Sequence, residues 1–138
     1  MNSFLKSGLV IYGKFDFGNF FKGLRNDSHY YIILNHSPDN DDLIVLVVGT
    51  SQVDKYTSRL EKGILEECDF HYIYREDPSH NNIFDKDTII NTSQAFILDK
   101  KQAIEADKKG MINNEILKEI KDKVRKNKTI ERKYKKMI

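Results

Sequence analysis

The sequence predicts a mainly β domain, a small antiparallel barrel or rolled sheet, with helices at its C-terminal end. Three observations predict it. Short β-prone runs alternate with turn-forming residues from residue 8 to residue 98, residues 43–48 are apolar at every position, and the spacing turns helical after Asp99.

The first run is 8–15 (GLVIYGKF), followed by a loop holding Asp16, Gly18, Asn19 and Gly23 with Phe17, Phe20 and Phe21 interleaved. A second strand is expected over 30–35. The stretch 36–41 (HSPDND) collects residues that preset turn dihedrals or bond their own backbone, so it should fold the chain back into a third strand at 43–48 (LIVLVV). A run with no polar position fits a strand covered on both faces. Residues 52–62 can hold a helical turn, 63–74 another strand or two, 77–82 a loop, and 88–98 (TIINTSQAFIL) a further β segment. Residues 100–109 read as helical up to a break at Gly110. Asn113 or Asn114 can then cap a helix whose Ile116, Leu117, Ile120 and Val124 form one stripe that should pack on the sheet. Residues 1–99 are thus assigned to the barrel domain and 100–138 to a helical, basic extension anchored by Ile130, Tyr134, Met137 and Ile138.

The 138 residues fit one domain, and about 100 residues suffice to bury a real core. Cys68 is the sole cysteine, which excludes an intramolecular disulfide and leaves a cysteine-based zinc site without partners. No apolar run is long enough for a signal sequence or a membrane span, so a cytoplasmic protein with no membrane partner is expected. The net charge of +2 conceals an asymmetry: residues 118–138 carry +7 and the remainder −5. A basic end on an acidic body attracts phosphate or an acidic partner, and it also serves as a solubilising face. Lys126, Arg132 and Lys133 are the tail cations expected to touch RNA, with Lys22 from the first loop.

The stretch 22–35 (KGLRNDSHYYIILN) sets Lys22, Arg25 and His29 against the mouth of a strand. Cleaving an RNA phosphodiester through its own 2′-hydroxyl takes a base, an acid and a donor or cation for the crowded phosphate. Histidine, arginine and lysine do this without a metal. The competing reading of His29 is a hydrogen-bonded structural residue. If the HSPDND turn pairs Asn35 roughly with Asp42, then Ser28 and His29 lie beside Val48, Gly49 and Thr50, gathering imidazole, hydroxyl and loop guanidinium at one sheet edge. Thr50 and Ser51 then either contact substrate or satisfy backbone groups where the strand ends. His36, His71 and His80 share no metal-ligand spacing and read as surface histidines; Asp85, Asp87 and Asp99 form no carboxylate dyad; no metal or cofactor is expected. Phe15, Phe17, Phe20 and Phe21 suit either base stacking or a core.

The Gly-led first strand, the Lys22 to Arg25 loop, an aliphatic strand ending in Leu34-Asn35 and another ending in Thr50-Ser51 resemble the PemK/MazF-like toxins of bacterial toxin–antitoxin systems. The likeness runs over residues 8–126 in order of elements. It implies an SH3-like barrel acting as a metal-independent endoribonuclease on single-stranded RNA, a cognate antitoxin protein and a homodimer. In that family an Arg-Pro pair enters the second strand and a Thr closes the third; Thr50 matches the Thr, while Ser28-His29 occupies the Arg-Pro position and Arg25 lies upstream. The resemblance therefore implies Thr50 and, displaced upstream, Arg25, to which the strand-pairing reading adds His29 and Ser51 as the candidate catalytic set. The alternative is a non-catalytic SH3-like module that binds RNA or a protein partner.

Overall fold

The structure, a computed structural model, describes residues 5–17, 28–64, 66–80 and 83–138. The fold is mainly β, a seven-stranded antiparallel sheet with helices at the C-terminal end. The strands are β1 (Leu9–Gly13), β2 (His29–Ile33), β3 (Leu43–Thr50), β4 (Phe70–Ile73), β5 (Thr88–Asn91), β6 (Phe96–Asp99) and β7 (Asp107–Met111). Their order is β4-β5-β3-β2-β1-β7, with β6 also on β3. Among the described residues the two ends of this path, β4 and β7, do not pair with each other, so of the barrel or rolled sheet expected the described strands form an open sheet. Lys108 and Lys109 stand on the exposed β7 edge, a placement that discourages pairing with another chain.

β3 holds the sheet together. Val45 and Val47 point to one core with Val10 and Ile32, while Ile44, Leu46 and Val48 point to another with Ile11, Tyr31 and Ile33. Residues 44–48 of the apolar run are therefore buried on both faces, because each pleat direction meets its own core, whereas Leu43 at its start is exposed. The segment 88–98 is not one strand. β5 and β6 run along the same side of β3 with the register slipped by three residues between them: Ile90 lies opposite Gly49 but Phe96 lies opposite Leu46. Of the intervening hydroxyls, Ser93 Oγ donates locally to Asn91 Oδ1 at 2.7 Å and Thr92 Oγ1 donates to the distant Cys68 carbonyl at 2.6 Å.

The helices are α1 (Val53–Glu61), α2 (Lys100–Glu105), α3 (Asn114–Lys126) and α4 (Arg132–Lys135). Asp99 caps α2 by accepting from Gln102 N at 2.9 Å, and Asn113 caps α3 by accepting from Glu115 N at 2.7 Å. Ile116, Leu117, Ile120 and Val124 are buried as one stripe against the Val10 and Val45 core. The expected helix over 100–109 stops at Glu105, and Asp107–Met111 instead joins the sheet beside β1, so the basic extension is not helical throughout. Gly110, at φ +133°, occupies a backbone conformation that L side chains rarely adopt, and it sits where the β1–β7 register shifts. The tail closes onto the body: Ile130 and Ile138 are buried, and His36 N donates to the Met137 carbonyl at 2.8 Å.

Candidate functional site

β2 and β3 pair with Tyr30 opposite Gly49 and Tyr31 opposite Val48; one further step sets His29 opposite Thr50. The expected pairing is thus correct in partners but slipped by two residues, which leaves every side chain on its anticipated face. Asn35 sets the slip. Its Oδ1 accepts from Val45 N at 2.7 Å and its Nδ2 donates to Asp41 Oδ2 and the Leu43 carbonyl, so the bend is wider than a tight hairpin.

A cleft of about 370 Å³ opens where β2 and β3 end, and His29, Thr50 and Ser51 all border it. Its floor is Gly49, where a Cβ would lie 3.1 Å from Ile90 Cδ1 and 3.2 Å from Thr88 Cγ2. Its walls include Tyr12 and Tyr30, whose rings sit 4.8 Å apart, and Tyr30 leans on Phe84 at 5.2 Å. The opposite rim is Asp85 and Lys86, carried in by the pairing of β5 with β3. Sequence reasoning missed this rim. Neither residue stands near His29 or Thr50 in the chain, and only the β3–β5 pairing joins them.

The pleat divides the cleft's residues. Tyr30 belongs to the Val10–Ile32 side, whereas His29 packs edge-on against Tyr31 at 6.2 Å on the other face, where Thr50 also stands. His29 Nε2 is buried with no hydrogen-bond partner among the described residues, an arrangement that costs about 1–3 kcal/mol. Behind it, burial pushes the Tyr31 phenol up to about 12, so that wall stays uncharged. Thr50 Oγ1 accepts from Gln52 N at 3.2 Å, the backbone role weighed for it; its hydroxyl hydrogen remains available to a ligand.

Lys22 and Arg25 lie outside the described residues, as do Phe20 and Phe21. Phe15 and Phe17 pack with Tyr31, and Phe17 with Phe96, so these two are core aromatics. Lys126, Arg132 and Lys133 are exposed but none borders the cleft; Lys133 pairs with Glu131 at 3.5 Å and covers the Tyr134 ring. The surface expectation holds for His36 alone. His80 is buried, its Nε2 donating to the Arg75 carbonyl and its Nδ1 accepting from Phe84 N, and His71 is mostly covered by Lys123 and Glu119 of α3. Asp85, Asp87 and Asp99 do three unrelated things: Asp85 borders the cleft, Asp87 accepts from Tyr72 and from Arg75 N, and Asp99 caps α2. Among the described residues no three His, Cys, Asp or Glu side chains are grouped to hold a metal ion, and no helix is long and apolar enough to cross a membrane.

No protein-family model matches the chain, and no curated protein matches its sequence.

Proposed function

We propose that the cleft at the ends of β2 and β3 binds single-stranded RNA and cleaves it without a metal, as a toxin-like endoribonuclease of a bacterial toxin–antitoxin system. The observation that carries the reading is the meeting of His29, Thr50, Ser51 and Lys86 around one opening from three separate chain segments. In this reading His29 removes the proton from the 2′-hydroxyl and the 2′-oxygen bonds to phosphorus. The bond to the 5′-oxygen then breaks, and that oxygen takes a proton from water, leaving a 2′,3′-cyclic phosphate. Thr50 and Ser51 donate to the non-bridging oxygens, Lys86 offsets their charge, and Arg25 is assigned the phosphate clamp on the strength of the family resemblance. A cognate antitoxin and a homodimer belong to the same proposal.

Purified protein incubated with mixed RNA and EDTA tests it. Wild type is expected to cut, His29→Ala to lose about 10²–10⁴-fold in rate, and Thr50→Ala to lose less. Wild-type rates in both variants would contradict the assignment.

The second reading, a non-catalytic module for RNA or a protein partner, is favoured by one observation: Lys126, Arg132 and Lys133 are exposed and away from the cleft. It predicts salt-sensitive RNA binding with no cleavage.

A further inference from the structure

The cleft does not end at Lys86. Ser51, Asp85 and Lys86 also border a second groove of about 640 Å³, which continues over α1 and β4 to Tyr72 and Tyr74. These two rings lie 4.3 Å apart on one side of β4, and Tyr74 is 60% exposed. The pair is held in place. Tyr72 Oη donates to Asp87 Oδ2 at 3.0 Å, while Asp87 Oδ1 accepts from Arg75 N at 2.7 Å and fixes the turn after the strand. An exposed, preset aromatic face at the end of a groove is a stacking surface for a flat ring.

The charges around it select the ring. Asp87 is engaged by Tyr72 and Arg75, but the exposed carboxylates of Asp54 and Glu76 line the same groove, and the lining as a whole carries more acid than base. Such a surface repels phosphate and welcomes hydrogen-bond donors. Of the four RNA bases, only guanine presents two adjacent donors, N1–H and N2–H₂, that match the two oxygens of one carboxylate; adenine, cytosine and uracil each place an acceptor beside their donor.

We infer that the groove leading from the cleft to Tyr72 and Tyr74 is a base-reading subsite that holds a guanine of single-stranded RNA, stacked on Tyr74 and read by Asp54 or Glu76. This rests on the proposed ribonuclease reading and adds a sequence preference to it. Lys86, at the junction, takes the phosphate between the cleft nucleotide and the guanine.

The test measures binding of full-length His29→Ala protein to oligouridine, and to the same oligomer with one central guanine or one central adenine, while wild type is assayed for cleavage in parallel. The guanine oligomer is expected to bind about tenfold tighter than the other two. The double variant Asp54→Ala, Glu76→Ala should erase that difference. Tyr74→Ala should weaken all three by about tenfold, and Tyr74→Trp should restore them. Equal affinity for the three RNAs, with cleavage retained by wild type, overturns the subsite but leaves the ribonuclease reading standing. Capture of an arginine-rich peptide in place of guanine-bearing RNA also overturns it. Absence of both cleavage and binding for every RNA overturns the two together.

Discussion

Asn35 is wholly buried just after β2, and its amide bonds Asp41 in the bend that follows and Leu43 and Val45 at the start of β3. Replacing it with Ala strands Val45 N in the interior and removes a donor from the Leu43 carbonyl. Asn35→Ala should therefore destabilise the protein by about 2–4 kcal/mol in urea unfolding, with the β2–β3 pairing loosened. A change within experimental error would show that the turn holds its register without the side chain. At this scale the sequence was legible in part. HSPDND announced a reversal because Pro and Asp residues preset turns. It did not announce which residues would face each other, because a buried amide decided that. His29 and Thr50 could be placed together from strand pairing alone. Lys86 could not, since it arrives through the β3–β5 pairing from a distant part of the chain.

At the junction of α3 and β4, Lys123 Nζ donates to the Phe70 carbonyl at 3.0 Å and sits 3.1 Å from His71 Nδ1, while His71 Nε2 faces Glu119 at 3.6 Å. A nitrogen that accepts from an ammonium must be unprotonated, so His71 is neutral in the native state. Burial first, and the Lys123 charge second, hold its pKa below the ordinary 6.5, against upward pulls from Glu119 and Asp77. The unfolded chain binds the proton more readily, so the contribution to stability is complete above about 6.5 and is lost as pH falls from there through the lowered native value. Thermal unfolding should show wild type losing more stability on acidification through that window than His71→Gln does. Parallel losses in the two proteins would contradict the neutral assignment. The long, strongly patterned elements were legible, α3 from its stripe and its Asn113 cap and β3 from its apolar run. β7 was hidden because Lys108 and Lys109 suit a helix in isolation; pairing with β1 overrides that preference.

Across the whole molecule, the basic tail is structural as well as charged. Ile130 and Ile138 are buried in the core with α3, and Arg125 donates to the Ile138 carbonyl, so truncation would open the core instead of testing charge. Neutralisation is the cleaner probe. Lys126→Gln, Arg132→Gln and Lys133→Gln together should leave the fold intact and, if these cations meet RNA phosphates, flatten the salt dependence of single-strand binding by a slope of about 2. An unchanged slope would place the phosphate contacts elsewhere. The sequence announced the tail's charge and its apolar anchors. It left open that those anchors complete the core, because that depends on where the chain returns after α3.

The proposed ribonuclease reading requires the cleft at the ends of β2 and β3 to perform transesterification on RNA. The most direct measurement is the mass of the products released from a defined single-stranded RNA by purified wild-type protein in EDTA. Fragments ending in a 2′,3′-cyclic phosphate are expected, lost in His29→Ala. Intact RNA, or cutting that continues undiminished in His29→Ala, would contradict it.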